Sequence, residues 1–252
     1  MCTLAFAYKI HPEYPMIFIG NRDEFYERLT EEASVREGVL CGIDLEKGGT
    51  WTGISVSGRL AFLTNYRDFS LHVEHAMSRG FLVKDFLTGH ETPEKYLLDL
   101  SKQKSRFNPF NLIVGDINQL YYYSNVNDTI LSLDPGLYGL SNSLLNTEWP
   151  KVKSIKSALA KIISKPVIEP EALLEILEDQ RQAKDEELPN TGIPHELERS
   201  LSSILIELEK YGTRHETLIL IHHTGRVLFV EKSRAATGIW EKRQFTFDII
   251  GG

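Results

Sequence analysis

MCTLAFAYKIHPEYPMIFIGNRDEFY, residues 1–26, is the stretch on which the fold turns. Thr3 to Ala7 is short, apolar and β-capable. His11–Pro12–Glu13–Tyr14–Pro15 carries turn chemistry, and Met16 to Ile19 is a second β-capable run, so the segment reads as a hairpin that brings the chain back beside its own start. Gly20 is expected to break that strand ahead of the polar cluster Asn21–Arg22–Asp23–Glu24. Cys2 is the most informative position. Met1 is removed from chains whose second residue is small, and its removal would leave Cys2 with a free α-amine beside its thiol. The two groups titrate at about 7.7–8.0 and about 8.5, close enough to exchange a proton near neutral pH. One residue then supplies nucleophile and base together. The plainer reading of the same residue is a small apolar side chain opening a buried strand.

A charged cluster at the end of a buried strand is costly unless paired. Arg22 there would favour a nearby thiolate, and Asp23 is placed to hold that arginine or to accept from the α-ammonium. A solvated turn with a local ion pair is the competing reading.

Further hairpins follow. Trp51 to Val56 and Arg59 to Thr64 flank Ser57–Gly58; Phe110 to Val114 and Gln119 to Tyr123 flank Asp116 and Asn118; Thr217 to Ile221 and Arg226 to Glu231 flank Thr224–Gly225. Phe81, Val83, Phe86 and Leu87 give one helical face. Val152, Ile155, Leu159, Ile162 and Ile163 give a second, with lysines between them and Pro166 beyond the end. Glu171 to Glu178 is a further short helix. Asp179 to Pro194 is polar, of mixed charge and interrupted by prolines, and reads as a loop. Leu197, Leu201, Ile204, Leu205 and Leu208 fit a helical stripe, whereas Ser203 to Ile206 fits a strand; both stay open. Hairpins at both ends with helices between them argue for an α+β layered fold.

Asn65 ends the strand Arg59 to Thr64, and Asn142 follows the strand-like Tyr138–Gly139–Leu140. Either amide could serve an oxyanion or orient the α-amine, and either could equally be strand-end turn chemistry. Arg214, in Tyr211–Gly212–Thr213–Arg214, is a candidate second cation or a strand-edge charge. No metal site is expected: His222–His223 has no cysteine or carboxylate at ligand spacing, and His195–Glu196 does not continue into H-E-x-x-H. Gly48–Gly49 is followed by no Walker sequence.

The chain of 252 residues has 42% hydrophobic and 25% charged residues, ordinary globular values. A net charge of −7 speaks against nucleic acid as the main partner. Two cysteines, Cys2 and Cys41, do not make a disulfide scaffold. No apolar run approaches the roughly 20 residues of a membrane span, and the N-terminus lacks the pattern of a signal peptide, so a cytoplasmic protein is expected.

Taken together, several blocks resemble a known family. They are Met1–Cys2, Asn21–Arg22–Asp23–Glu24–Phe25–Tyr26, Gly48–Gly49–Thr50–Trp51–Thr52–Gly53–Ile54–Ser55, Leu63–Thr64–Asn65–Tyr66, Phe110–Asn111–Leu112–Ile113, Tyr138–Gly139–Leu140–Ser141–Asn142–Ser143–Leu144–Leu145 and Tyr211–Gly212–Thr213–Arg214. This pattern is similar to the NRDE family, which takes in transport and Golgi organisation protein 2. The departures fall around Asp179 to Ser200. The resemblance implies one domain over residues 1–252 with a variable loop at 179–200. It implies a four-layer αββα sandwich of the N-terminal-nucleophile hydrolase type. It also implies a more distant similarity to choloylglycine hydrolases and penicillin V acylases. Those enzymes use an N-terminal Cys, an Arg and an Asp after the first hairpin, two Asn and a late Arg. Carried over, the catalytic set is Cys2, Arg22, Asp23, Asn65, Asn142 and Arg214. Those hydrolases separate the Arg and Asp by two residues, whereas Arg22 and Asp23 are adjacent, which leaves Glu24 as the alternative acid. Substrate-binding residues are expected among Asn21, Glu24, Trp51, Tyr66 and Tyr138, and pocket walls near Phe25, Trp51, Tyr66 and Tyr138 suggest an aromatic, partly apolar cavity.

Two functional readings follow. One is an N-terminal cysteine amidohydrolase that cleaves a non-peptide C–N bond of a small-molecule amide through a thioester. The other is a non-catalytic protein on the same fold that binds and moves haem, a lipid or an acyl thioester. Neither calls for a resident cofactor, and the oligomeric state is open.

Overall fold

The computed structural model describes residues 2–235 and 237–250. Met1, on whose removal the nucleophile reading of Cys2 depends, lies outside the described residues. In chain order the elements are β1 (Cys2–Tyr8), β2 (Met16–Phe25), β3 (Thr30–Arg36), β4 (Val39–Asp44), β5 (Thr52–Ser55), β6 (Leu60–Asn65), α1 (Gly80–Thr88), α2 (Pro93–Ser101), β7 (Phe110–Gly115), β8 (Leu120–Ser124), β9 (Thr129–Ser132), β10 (Gly136–Leu140), α3 (Pro150–Ile163), α4 (Pro170–Leu177), α5 (His195–Ser200), β11 (Tyr211–Ile221), β12 (Arg226–Arg234) and β13 (Trp240–Asp248). Helices α2, α3 and α4 each begin on a proline, whose fixed φ suits the first helical position and whose missing N–H costs nothing there.

The chain divides into two compact units, Met1–Glu27 with Pro135–Thr246 and Arg28–Asp134 with Phe247–Gly252. The first is built on a six-stranded sheet in the order β10-β1-β2-β11-β12-β13. Alternation puts Ala5 and Ala7 of β1, Ile17 and Ile19 of β2, and Leu218 and Leu220 of β11 on one face. There they pack against Ile155, Leu159 and Ile162 of α3 and Leu173, Leu174 and Leu177 of α4. Each such Ile or Leu contributes roughly 1.5–3 kcal/mol by leaving water. The two alanines of β1 let α3 lie close to the strand. Along β1 the other face carries Cys2, Leu4, Phe6 and Tyr8.

The second unit is a seven-stranded meander, β3-β4-β5-β6-β7-β8-β9. Helices α1 and α2 cover one face, with Val83, Phe86 and Leu97 set against Ala61, Leu112 and Val114. Its Ser57–Gly58 hairpin, and the Thr224–Gly225 hairpin of the first unit, turn where expected. Gly58 and Gly225 have φ of 84° and 88°, a region in which a side chain is strained.

The first hairpin differs from expectation in one respect that matters. Gly20 does not end a strand: β2 continues through Asn21–Arg22–Asp23–Glu24 to Phe25. The reason is lateral. Strand β1 pairs one edge of β2 as far as Arg22, and β11 pairs the other from Met16 to Phe25. The polar residues therefore sit in the middle of a sheet. Gly20 serves close packing instead, since a Cβ there would fall 3.0 Å from both the Phe18 ring and Leu4 Cβ. Within 179–200 the chain is mostly irregular as expected, but it includes a short 3-10 turn at Asp185–Glu187 and ends in α5. Residues 201–206 join neither a helix nor a strand, which answers the open choice there. Among the described residues, no helix is long and apolar enough to cross a membrane.

Candidate active site

Cys2 opens β1 and is half-buried. Its partner across the ladder is Arg22 of β2, whose partner on β11 is His215, whose partner on β12 is Ser233. Directly paired residues share a face, so these four side chains form a row across four strands. Arg22 is only 7% exposed, and its guanidinium lies 3.7 Å from Glu24, two residues along on the same face. Glu24 is thus the acid that faces Arg22.

Asp23 alternates to the opposite face and is 1% exposed. The Thr213 hydroxyl donates to its carboxylate at 2.8 Å, and the Tyr211 hydroxyl donates to its main-chain carbonyl at 3.1 Å. Burial pushes the Asp23 carboxyl up, against the opposing charges of Lys151 and Arg22 and the Thr213 hydrogen bond. Burial also pushes the Cys2 thiol up, with the Asp23 charge acting the same way; the Arg22 charge and the Asp23 backbone N–H, which donates to the sulfur, act in the opposite direction.

Arg214 occupies a β-bulge, where the β2–β11 register shifts between Thr213 and His215. The extra residue frees its side chain from the alternation, and its guanidinium donates to the Phe25 and Tyr26 carbonyls, both at 3.1 Å. Burial pulls the Arg214 pKa down and the nearby Arg22 charge adds to this. His215, 1% exposed, is held well below its ordinary 6.5, first by burial and then by Arg22 and Arg214. It is neutral at neutral pH.

On the other side of β1, β10 ends at Leu140 opposite Leu4, so residues 141 and 142 run beside the start of the chain. The Ser141 hydroxyl donates to the Cys2 carbonyl at 2.9 Å and lies 3.3 Å from Asn142 Oδ1. Asn142 is fully buried.

Of the residues singled out from sequence, the first unit thus gathers Cys2, Arg22, Asp23, Glu24, Asn142 and Arg214. Asn21 shares its face of β2 with Asp23 but has other partners. It faces the helix side, where its amide donates to the Leu177 and Ile204 carbonyls at 2.9 and 3.0 Å, so it fastens the segments around α4 to the sheet. Tyr138 lies on β10 and stacks on Phe6, with ring centroids 5.1 Å apart. Asn65, Trp51 and Tyr66 belong to the second unit. Asn65 ends β6 opposite Phe110, the Trp51 ring lies against Gly42, and the Tyr66 N–H donates to the Pro109 carbonyl at 3.1 Å. Among the described residues, no group of three or more His, Cys, Asp or Glu side chains is placed to hold a metal ion.

Sequence reasoning missed His215, Thr213, Ser141 and Lys151. The bulge conceals His215, because strict alternation from Thr213 would put residue 214 on the opposite face and 215 on the same one. A histidine held neutral binds a proton more readily in the unfolded chain, so its contribution to stability is lost as pH falls from 6.5 toward the lowered folded value. His215→Gln is expected to lose less unfolding free energy than wild type between about pH 7.5 and about pH 5.5, by up to about 1.4 kcal/mol. Urea unfolding at the two pH values checks this.

A sequence profile of the transport and Golgi organisation 2 family matches residues 1–236. The chain belongs to this family. The human transport and Golgi organization protein 2 homolog is 33% identical over 275 residues, which cover 99% of each chain. Solved structures show the same architecture. An N-acylethanolamine-hydrolyzing acid amidase ortholog from Caenorhabditis elegans aligns with a TM-score of 0.51 at 14% identity, over 87% of this chain and 92% of the other. A conjugated bile acid hydrolase variant from Clostridium perfringens aligns with a TM-score of 0.52 at 10% identity, over 99% and 92%. The fold is therefore that of the N-terminal-nucleophile hydrolases, an α+β fold with two antiparallel sheets, as the resemblance to the NRDE family implied.

Proposed function

We propose that the chain is an N-terminal cysteine amidohydrolase that cleaves a linear amide through a Cys2 thioester. The observation that carries this reading is the ladder pairing of Cys2 with Arg22, in a sheet that also buries Asp23, His215 and Arg214. Burying so many ionisable groups in one place works against folding, which makes the cluster a functional-site candidate with a physical rationale.

The raised thiol bears on mechanism. A cysteine whose pKa is pushed up is not a preformed thiolate, so it needs a base at hand. Once Met1 is gone, the residue's own α-amine is that base. The thiol proton passes to the amine as Sγ attacks the amide carbon and the C–S bond forms. The Asn142 amide and backbone N–H groups stabilise the oxyanion. The C–N bond then breaks, and the leaving amine takes the proton from the α-ammonium. Water, deprotonated by the α-amine, attacks the thioester; the C–S bond breaks, the thiol is restored and a carboxylic acid leaves. Asp23 accepts from the α-ammonium, and Arg22 supplies positive charge on the thiol's side of the sheet. A cytoplasmic place of action belongs to the same reading, with both cysteines free thiols.

The test is hydrolysis of an acyl-amide library by the processed protein, beginning with N-acylethanolamines and conjugated bile acids. Saturable release of amine and acid in a one-to-one ratio is expected, with turnover lost on alkylation of Cys2. Haem or acyl-thioester binding with no turnover of any amide would replace this reading with the carrier one.

A further inference from the structure

Lys151 is a lysine in the wrong place by every ordinary rule. It is the second residue of α3, it is 3% exposed, and lysine is among the residues least often buried. Its position also opposes the helix, because a helix N-terminus carries partial positive charge and favours anions. The first turn of α3 contains no acidic residue, and Trp149 makes no side-chain cap bond. The cation is therefore penalised by burial and by the helix end, and the helix offers it nothing in return. Pro150 fixes where the helix starts and so fixes the lysine at this site.

What answers the lysine lies on the sheet. Asp23 shares with Asn21 the face of β2 that the helices cover, and its carboxylate is as deeply buried as the lysine. Cys2 of β1, Arg22 of β2 and Lys151 of α3 lie within reach of the Asp23 charge. Strand β11 presents the Thr213 hydroxyl, with the Tyr211 hydroxyl on the Asp23 carbonyl, and the Tyr26 phenol lies within reach of its charge. Arg22 points to the other face, where Glu24 engages it. Among the described residues, Lys151 is the cation whose charge acts most strongly on the Asp23 carboxylate.

We infer that Lys151 is a positioning residue that holds Asp23 ionised, so that Asp23 can accept from the Cys2 α-ammonium. This deepens the amidohydrolase reading and rests on it. Without a buried cation, a buried carboxylate takes up a proton and can no longer orient an ammonium. With the cation, Asp23 and Lys151 together are neutral, so the carboxylate orients the amine without holding it permanently protonated. The α-amine then remains available as a base near neutral pH.

Two measurements on the full chain test this. The first is the pH profile of kcat/KM for Lys151→Met and Lys151→Arg. The acid limb is expected to move up by at least one pH unit in Lys151→Met, a loss of tenfold or more on that limb, with activity recovered at high pH. Lys151→Arg, which keeps the charge and guards against a variant that fails to fold, is expected to retain the wild-type limb. The second needs no turnover: the carboxyl carbon of Asp23, followed by NMR in protein labelled with 13C-aspartate, should titrate at higher pH in Lys151→Met and unchanged in Lys151→Arg. Superimposable Asp23 titrations in wild type and Lys151→Met would overturn the inference. A shifted titration with no amide turnover in any form would leave the charge pairing standing and remove the hydrolase reading beneath it.

Discussion

Cys2→Ala is expected to lower kcat/KM for amide hydrolysis on the order of 10⁴-fold or more while leaving the urea midpoint close to that of wild type. The size follows from what is lost. The side chain supplies the nucleophile, and without it only binding and oxyanion stabilisation remain, which is the residue of catalysis left when a nucleophile is deleted from other hydrolases. The small effect on stability follows from position. Cys2 is the first residue of β1 and half-buried, and truncation to alanine removes one sulfur and leaves the ladder with Arg22 intact. Alanine also permits removal of Met1, so the α-amine is still presented. Cys41→Ala is the matched control. Cys41 is buried in the sheet of the second unit, and its truncation is expected to cost stability, about 1 kcal/mol, and no activity. Steady-state kinetics and urea unfolding of both variants check the pair.

Gly212→Ala is expected to cost about 3 kcal/mol, a large effect for one methyl group. Gly212 pairs with Glu24 in the β2–β11 ladder. A Cβ there would fall 2.3 Å from Tyr26 Oη and 2.4 Å from the Ile206 carbonyl oxygen. Neither neighbour yields freely. The Tyr26 hydroxyl accepts from Arg234 at 2.9 Å, and the Ile206 carbonyl accepts the Thr213 N–H at 2.8 Å while the Thr213 hydroxyl accepts the Ile206 N–H at 2.9 Å. Moving Ile206 therefore moves Thr213, the residue whose hydroxyl holds Asp23. Activity should fall together with stability. An unfolding free energy from urea titration within about 0.5 kcal/mol of wild type, the range of an ordinary surface change, would show that β11 is not clamped onto β2 in this way.

The fold was readable where a local pattern carried it. Alternating apolar runs separated by turn residues located the hairpins, and the spacing of Val152, Ile155, Leu159 and Ile162 located α3. What escaped was lateral. Apolar residues stop at Ile19, so the sequence suggests that the strand stops too, yet β2 is paired on both edges and carries Asn21 to Phe25 with it. Ordered blocks of residue types named Cys2, Arg22, Asp23, Asn142 and Arg214 as candidates, and the fold places all five in the first unit. His215 escaped because a β-bulge resets the face on which it lies, and a bulge leaves no periodic signature. Lys151 did leave a trace. It stands four residues before Ile155 and eight before Leu159, on the stripe that faces the sheet, but a lysine there is naturally read as part of the solvated face. Asn21, in the same block as Arg22, alternates to the face it shares with Asp23 and bonds the Leu177 and Ile204 carbonyls there.

Mass spectrometry of the protein quenched in acid during turnover of an amide substrate bears most directly on the central claim. An N-terminal peptide that begins at Cys2 and carries the mass of the acyl group on that residue is the predicted result. An N-terminal peptide that still begins at Met1, or an acyl group found only on Cys41, would contradict it.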